Sequence, residues 1–332
     1  MRSRQGIAVA TAVALLLGCT SRVDRIGTDD GLDGCRPQLV ALDSTGNYYG
    51  EDMLRGAAIG AATGGVLGGL VGLAAGGRGR DVAIGAGVGI LAGGAIGAAD
   101  GYYAARQRQA QDQASLSAAI GSDLASENAQ IDRTQLAFNQ LVDCRLMAAQ
   151  AIRQDVRSGR ITPQTGQLMM GELRRRAQRD ITIARQINEK IGTRGAEFDT
   201  AIEAVSPGVK QEVAARAAVP ATPSRTRAPV ALRIRPELTA PEIGRVAANE
   251  PVTVKPASGS FALVETAAGL RGYAPAASFP GRRPAPPNAS GTSGDGSFRE
   301  LAASNIARRD NFAASVSDAE KATQGQGFEL AS

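Results

Sequence analysis

Cysteine is the residue type most able to do chemistry in this chain, which contains Cys19, Cys35 and Cys144 and no histidine. Without histidine the sequence lacks the commonest general base, the commonest metal ligand and every Ser-His or Cys-His arrangement for nucleophilic catalysis. An enzyme would need carboxylate or lysine chemistry, and no clustered pair of acids falls in a segment predicted to fold. The sequence therefore predicts no enzymatic activity, no metal site and no cofactor.

Residues 1–18 have the three parts of a signal peptide. Arg2 and Arg4 form a basic start, and residues 7–17 form an apolar stretch that is too short to span a bilayer. The leader ends in small and apolar residues directly before Cys19. We expect the leader to be removed after export.

The end of the leader, Leu16-Leu17-Gly18-Cys19, resembles a bacterial lipobox. The resemblance implies that Cys19 carries a diacylglycerol and becomes the mature N-terminus. In lipoproteins of Gram-negative bacteria an Asp after this cysteine favours the inner membrane, and here Thr20 follows it. The resemblance therefore implies a lipid-anchored protein on the periplasmic side of the outer membrane, with the lipid bilayer as its first partner.

Cys35 and Cys144 remain once Cys19 is acylated. An oxidising envelope compartment favours a disulfide between two leftover thiols, and free buried thiols are the alternative. Residues 19–52, which contain Cys35, show little periodicity and are predicted to form a lipidated tether. A Cys35–Cys144 bridge would clamp this tether along the side of the helices that follow.

Glycine recurs every fourth residue in a region without charge on either side of the turn at residues 78–81. This spacing places the glycines on one helical stripe, which lets a partner helix approach closely. A flexible linker is the alternative, because glycine costs about 1 kcal/mol relative to alanine in a helix in water. The repeat consists of Gly56, Gly60, Gly64, Gly68, Gly72, Gly76, Gly85, Gly89, Gly93, Gly97 and Gly101.

This repeat, together with Cys19, resembles the glycine-zipper lipoproteins of the SlyB-like group, whose paired helices enter a membrane. The resemblance covers residues 53–103 and implies a transmembrane two-helix hairpin and a homo-oligomer. The uncharged stretches 56–77 and 82–99 would be roughly 33 and 27 Å long as helices. Tyrosine pairs flank the hairpin at residues 48–49 and 102–103, where interfacial aromatic residues are expected.

Residues 104–205 are predicted to form a coiled-coil helical hairpin. Thr162 is a good N-cap, and Pro163 suits the first position of the return helix. Arg145 interrupts the apolar row of the first helix, and the basic run at residues 174–179 is predicted to be a solvated face. The first row contains Leu116, Ile120, Leu124, Ile131, Phe138, Leu141, Val142, Ile152 and Val156, and the second Leu168, Met169, Leu173, Ile183, Ile187 and Ile191.

Residues 206–229 are predicted to be a proline-rich linker, and residues 230–280 short strands. The latter segment resembles a bacterial SH3 domain through Leu232-Arg233-Ile234-Arg235, Ile243-Gly244 and Gly272-Tyr273-Ala274. The resemblance implies a small β-barrel that binds peptidoglycan or a peptide, with Arg233 and Tyr273 as candidate ligand contacts. A barrel that serves as a spacer or as an oligomer contact is the alternative.

Residues 281–332 are predicted to be a flexible, disordered tail with a short helix, for which residues 297–300 have capping-box form. The net charge of the chain bears on a nucleic-acid partner. Without Arg2 and Arg4, the chain carries 35 basic and 32 acidic side chains, which is too weak an excess to indicate nucleic-acid binding.

These features together predict a mainly α-helical outer-membrane lipoprotein that oligomerises through its glycine repeat. We expect it to act as a structural or scaffolding component of the cell envelope, with an envelope protein or peptidoglycan as partner. The alternatives are a ring or conduit component of a secretion or efflux assembly, and a cell-wall hydrolase or its activator.

Overall fold

The computed structural model describes residues 25–49, 101–257, 260–280 and 297–330. Within these residues the fold is mainly helical, with one sheet inserted between the fifth and sixth helices. The helices are α1 (36–49), α2 (101–109), α3 (Gln113–Arg157), α4 (Pro163–Val205), α5 (Val209–Ala217) and α6 (Phe298–Gln324). The strands are β1 (Thr222–Arg225), β2 (Val230–Arg233), β3 (Glu242–Val246), β4 (Pro251–Pro256), β5 (Phe261–Thr266) and β6 (Arg271–Pro275).

Local signals in the sequence set the ends of the two long helices. Asp112 caps α3 by accepting a hydrogen bond from the Ser115 amide at 2.7 Å. Thr162 caps α4 in the predicted way, with Pro163 in the first turn. Gly159 has a φ of 73°, a left-handed conformation that glycine adopts without strain, and it reverses the chain between the helices. The predicted helical hairpin is therefore confirmed.

The hairpin has a third long partner, because α6 packs against both α3 and α4. Side-chain contacts between α3 and α6 advance in the same order along both helices, from Asn128–Asn305 to Phe138–Phe312. The predicted helix start at the capping box of residues 297–300 is present, but the prediction of a flexible tail with only a short helix is wrong, because residues 298–324 form a long helix of the bundle. The long helix was not predicted because small residues such as Ala302, Ala319 and Ala322 make up much of the apolar face of α6, and such residues give a weak sequence signal.

Three apolar clusters follow one another along the bundle. The first joins the start of α3 to the end of α4, the second fills the middle, and the third joins the far end of the bundle to the sheet. Most of the predicted apolar rows are buried there, but Leu168 and Met169 are exposed. Helix α1 packs beside α3 and α4 in the middle cluster, where a Cβ at Gly46 would lie 3.0 Å from Ile187.

The strands form one antiparallel sheet in the order β1-β4-β5-β6-β2-β3, and this sheet is not a closed barrel. The predicted β-barrel is therefore wrong in its closure, although the predicted short strands are present. The sheet can stay open because it packs against the bundle. In the third apolar cluster, residues of α3 and α4 cover the apolar residues of the sheet. Arg235 reinforces this contact through two hydrogen bonds of 2.7 Å to Asp143.

The predicted linker at residues 206–229 contains helix α5 and edge strand β1, which pairs with β4. Pro223 lies in β1 opposite Thr253. Proline is tolerated at the edge of a sheet because no further strand needs its missing N–H. The prediction of a linker, which was made from composition alone, is therefore wrong for these residues.

Among the helices that the structure describes, none is both long and apolar enough to cross a membrane. Within the described residues this finding contradicts the prediction of transmembrane helices, and the two predicted spans, residues 56–77 and 82–99, lie outside the described residues. Of the glycine repeat, Gly101 lies in α2, and the members from Gly56 to Gly97 lie outside the described residues. The interfacial position predicted for Tyr49 is also wrong, since its side chain is fully buried in the bundle.

Candidate functional site at the tether junction

A disulfide joins Cys35, at the start of α1, to Cys144 on α3, which confirms the predicted pairing. The two Cα atoms are 5.8 Å apart, and the bridge closes a loop with a sequence separation of 109 residues. Cys35 is buried in the middle cluster beside Leu39 and Leu141. The covalent bond therefore ties the segment that follows Cys19 to the body of the protein. We call residues 25–35 the docked tether and its contact surface the tether junction.

Arg145, the residue after Cys144, forms a buried ion triad at this junction. Its guanidinium group donates to Asp33 of the docked tether at 2.5 and 2.8 Å and to Asp180 of α4 at 2.6 Å. Only 3% of the Arg145 side chain is exposed, against 13% for Asp33 and 6% for Asp180. Such a pairing is stable only when each buried charge is satisfied, so the triad fixes the tether and both helices relative to one another.

The triad shifts the pKa values of its members in different directions. Burial lowers the pKa of Arg145, but its hydrogen bonds to Asp33 and Asp180 outweigh burial and raise it. Burial raises the pKa of Asp33, and the hydrogen bond from Arg145 reverses that shift and lowers it. Burial dominates at Asp180 and raises its pKa. Of the two acids, Asp33 is therefore the one whose ionised form is favoured by its surroundings.

A second arginine, Arg176 on α4, binds the backbone and the carboxylates of the docked tether. Arg176 donates to the Leu32 carbonyl at 2.9 Å and lies 3.5 Å from Asp30 and 3.8 Å from Asp33. The Asp33 carboxylate also accepts a hydrogen bond from the Cys35 amide at 3.0 Å. Asp33 therefore organises the turn before α1 and binds the bundle at the same time.

The first described residues of the tether fold back along α1. Arg25 pairs with Asp43 through bonds of 2.8 and 2.9 Å and reaches Asn47 at 3.3 Å. Arg36 of α1 donates to the carbonyl groups of Ile26 and Gly27. The docked tether is thus held by side chains along its length as well as by the disulfide.

A cleft of about 390 Å³ lies between the docked tether and α4. Its charged walls carry as many acids as arginines: Asp29, Asp30, Asp33, Glu172 and Asp180 against Arg25, Arg36, Arg145, Arg176 and Arg179. Most of these side chains bind one another, and among the described residues no group of acids or cysteines has the arrangement of a metal site. The arrangement holds chain segments together.

The points where the chain leaves the described residues lie close together. Arg25 reaches Asn47, two residues before the described part of α1 ends at Tyr49. Tyr49 lies within electrostatic range of Glu127 and Arg194. One helical turn away on α3, Asp123 accepts a hydrogen bond of 2.6 Å from Tyr102 at the start of α2. The connection to Cys19 and both ends of residues 50–100 therefore converge on one part of the bundle.

The basic run on α4, predicted to be a solvated face, is divided equally between structural contacts and exposed side chains. Arg174 donates to the Phe328 carbonyl at 2.7 Å, and Arg176 binds the tether. Arg175 and Arg179 remain about two-thirds exposed. The sequence pointed to the triad only through Arg145, which interrupts an apolar row; it gave no sign of Asp33 and Asp180 as its partners.

The two ligand candidates of the sheet, Arg233 and Tyr273, stand opposite each other on β2 and β6. Arg233 donates to the Ala240 carbonyl at 2.7 Å. Burial, and next the nearby Asp318 of α6, raise the pKa of Tyr273. The structure therefore brings the predicted pair together, but Arg233 is bonded to the connection between β2 and β3, and Tyr273 lies next to α6.

Fold and junction together define a disulfide-clamped helical bundle with an attached open antiparallel sheet. Comparison with known protein families, with curated proteins and with solved structures found no match to this chain. Cys19, the predicted lipidation site, lies outside the described residues. The geometry of the junction is therefore the main guide to function.

Proposed function

We propose that this chain is a lipid-anchored structural protein of the bacterial cell envelope, attached through Cys19 to the periplasmic side of the outer membrane. The observation that carries the proposal is the Cys35–Cys144 disulfide, which clamps the chain 16 residues after Cys19. Disulfides form and persist in oxidising compartments such as the periplasm. A lipid on Cys19 would then be connected to the bundle by a short segment with a fixed exit.

The length of this segment supports close attachment to the membrane. Residues 20–24 separate Cys19 from Arg25, and an extended chain covers at most about 3.5 Å per residue, or roughly 20 Å here. Several acyl chains on one cysteine give durable anchoring, at about 0.8 kcal/mol per buried CH₂ group. The tether junction would therefore be held near the bilayer surface.

The glycine repeat has a place in this proposal as a contact between copies of the chain. The described residues that flank 50–100, Tyr49 and Tyr102, lie on the same part of the bundle, so the repeat would be connected to the bundle close to the lipid tether. Leucine at Gly64, Gly68 and Gly93 would fill the glycine stripe and should abolish oligomers in detergent. Unchanged oligomers would rule out the repeat as the contact.

The described bundle and sheet would act as a scaffold in the periplasm, with peptidoglycan or another envelope protein as partner. The partner is proposed from the sequence resemblance of residues 230–280 to a bacterial SH3 domain, although their sheet is open. Most of the charged groups at the tether junction are paired with one another, which suits a part that positions domains.

Acylation of the full chain in a Gram-negative bacterium tests the proposal. Radiolabelled palmitate should enter the wild-type protein and a Cys35→Ser control, and both should sediment with the outer membrane. Cys19→Ala should carry no label and should leave the membrane fraction. Label that persists in Cys19→Ala, or its absence from the wild type, would overturn the proposed anchor.

A further inference from the structure

The last described residues fold back from α6 into a groove between α3, α4 and the sheet. Gln326–Phe328 form a single 3-10 turn after Gly325, and Phe328 is only 2% exposed. Its ring belongs to the cluster that joins the bundle to the sheet, and Leu330 packs against the same cluster. We call residues 326–330 the docked tail.

Two arginines hold the docked tail through its backbone. Arg153 of α3 donates to the carbonyl groups of Glu329 at 2.6 Å and Gly327 at 2.8 Å. Arg174 of α4 donates to the Phe328 carbonyl between them at 2.7 Å. Three consecutive carbonyl groups are thus bound, and such bonds can be made to any peptide of similar backbone conformation.

Charges of both signs lie around Arg153 at the groove. Burial, and next the like charge of Arg157, lower the pKa of Arg153, whereas Glu329 and Glu242 act in the opposite direction. Glu329 is itself exposed at the mouth of the groove. An acidic residue next to the buried aromatic ring therefore complements Arg153 and Arg157.

Phe328 does not fill the space beneath it completely. A cavity of about 20 Å³ lies beside its ring, between Leu141 and Leu146 of α3 and Ala177 of α4. Glycine at 325 and 327 connects the tail to α6, and a Cβ at Gly327 would come within 2.6 Å of the Ala322 carbonyl. The tail is therefore attached through a tight glycine-dependent turn, with one aromatic anchor that leaves room in its pocket.

We propose that this groove is a peptide-docking site which the docked tail occupies in cis. Its occupant in trans is a segment of a partner protein with an aromatic, an acidic and an aliphatic residue in succession, which displaces the tail. The aromatic residue enters the Phe328 pocket, and Arg153 and Arg174 bind its backbone carbonyl groups. The proposal does not depend on lipidation.

A labelled peptide with the sequence of residues 324–330 is the probe. The full chain with Phe328→Ala should bind it at least about tenfold more tightly than the wild type. In the wild type the attached tail competes at an effective concentration on the order of millimolar. A control peptide with alanine in place of the phenylalanine should not bind either chain.

A second variant tests the role of the two arginines. Phe328→Ala combined with Arg153→Gln and Arg174→Gln should lose peptide binding while its helical circular dichroism is retained. Equal or absent binding by a folded Phe328→Ala chain would overturn the proposal, as would binding that persists without the arginines. Loss of cooperative unfolding in Phe328→Ala would also overturn it, because the tail would then be an inseparable part of the core.

Discussion

Cys144 and Arg145 are consecutive residues of α3, and both hold the same short stretch of the docked tether. Cys144 is bonded covalently to Cys35, and Arg145 is paired with Asp33 two residues earlier. A helix directs consecutive side chains about 100° apart, so the two contacts approach the tether from different sides. Together they fix both the position and the direction of the chain that leads to Cys19.

Removing the disulfide should release the docked tether without dissolving the helical bundle. A loop of this length gives a disulfide stabilisation of about 2–5 kcal/mol, so Cys35→Ser should lower the free energy of unfolding by that order. Hydrogen exchange measures the local effect. Amides of α1 should lose more protection than those of residues 131–141, whose loss reports only the fall in global stability. Unchanged protection of α1 would show that the bridge is not the clamp.

Replacing Arg145 should be among the most damaging single substitutions in the bundle. Arg145→Leu removes the hydrogen bonds of the buried Asp180 carboxylate to Arg145 and leaves Asp33 with only Arg176 and the Cys35 amide, which should cost about 3–5 kcal/mol. The free energy of unfolding of Arg145→Lys should lie between those of the wild type and Arg145→Leu, because one ammonium group cannot reproduce the planar guanidinium that reaches both acids. Urea unfolding at neutral pH provides the measurement.

The control for this series is Arg179→Leu in the same cleft. Its side chain is 66% exposed, so the substitution should change stability by less than about 0.5 kcal/mol. Similar losses for the Arg145 and Arg179 variants would contradict the role assigned to the triad.

Alkaline pH should destabilise the fold through three tyrosines. Burial raises the pKa of Tyr49, Tyr102 and Tyr273, and a nearby aspartate contributes next at Tyr102 and Tyr273. A raised folded-state pKa gives stability that is present below the unfolded value, about 10, and is lost as pH rises above it. The melting temperature should therefore fall above about pH 10.

Absorbance of ionised tyrosine follows the titration of the phenols, and circular dichroism recorded in parallel follows the loss of helix. These three phenols should ionise together with the loss of helix, and Tyr49→Phe should reduce the alkaline loss of stability. Ionisation of all five tyrosines near pH 10 with the helices intact would refute the prediction.

Local patterns predicted the elements whose signals lie within a few residues. The start of α4 at Thr162 and Pro163 is of this kind, as are the short strands of the sheet. The disulfide could be predicted because only two cysteines remained to pair. The capping box at residues 297–300 predicted the start of α6, but its full length and its packing were missed because alanine-rich packing gives a weak local signal, and strand β1 was missed because an edge proline gives a misleading one.

The ion triad could not be predicted because its contacts are distant in sequence. Arg145 lies 112 residues from Asp33 and 35 from Asp180, and only the packing of α1 against α3 and α4 brings them together. Closure of the sheet was mispredicted for a related reason. The surface that covers its apolar residues belongs to helices elsewhere in the chain.

Proximity of the tether junction to the membrane is the most direct test of the proposed anchoring. A donor fluorophore is placed at exposed Ser44 of α1 or at exposed Ser158 between α3 and α4, in the acylated chain on vesicles with acceptor-labelled headgroups. Thr45 lies against Gln130, so Ser158 is about 42 Å further along α3 at 1.5 Å per residue. Energy transfer should be much stronger from position 44 and should vanish in Cys19→Ala; equal or stronger transfer from position 158 would contradict the proposed anchoring.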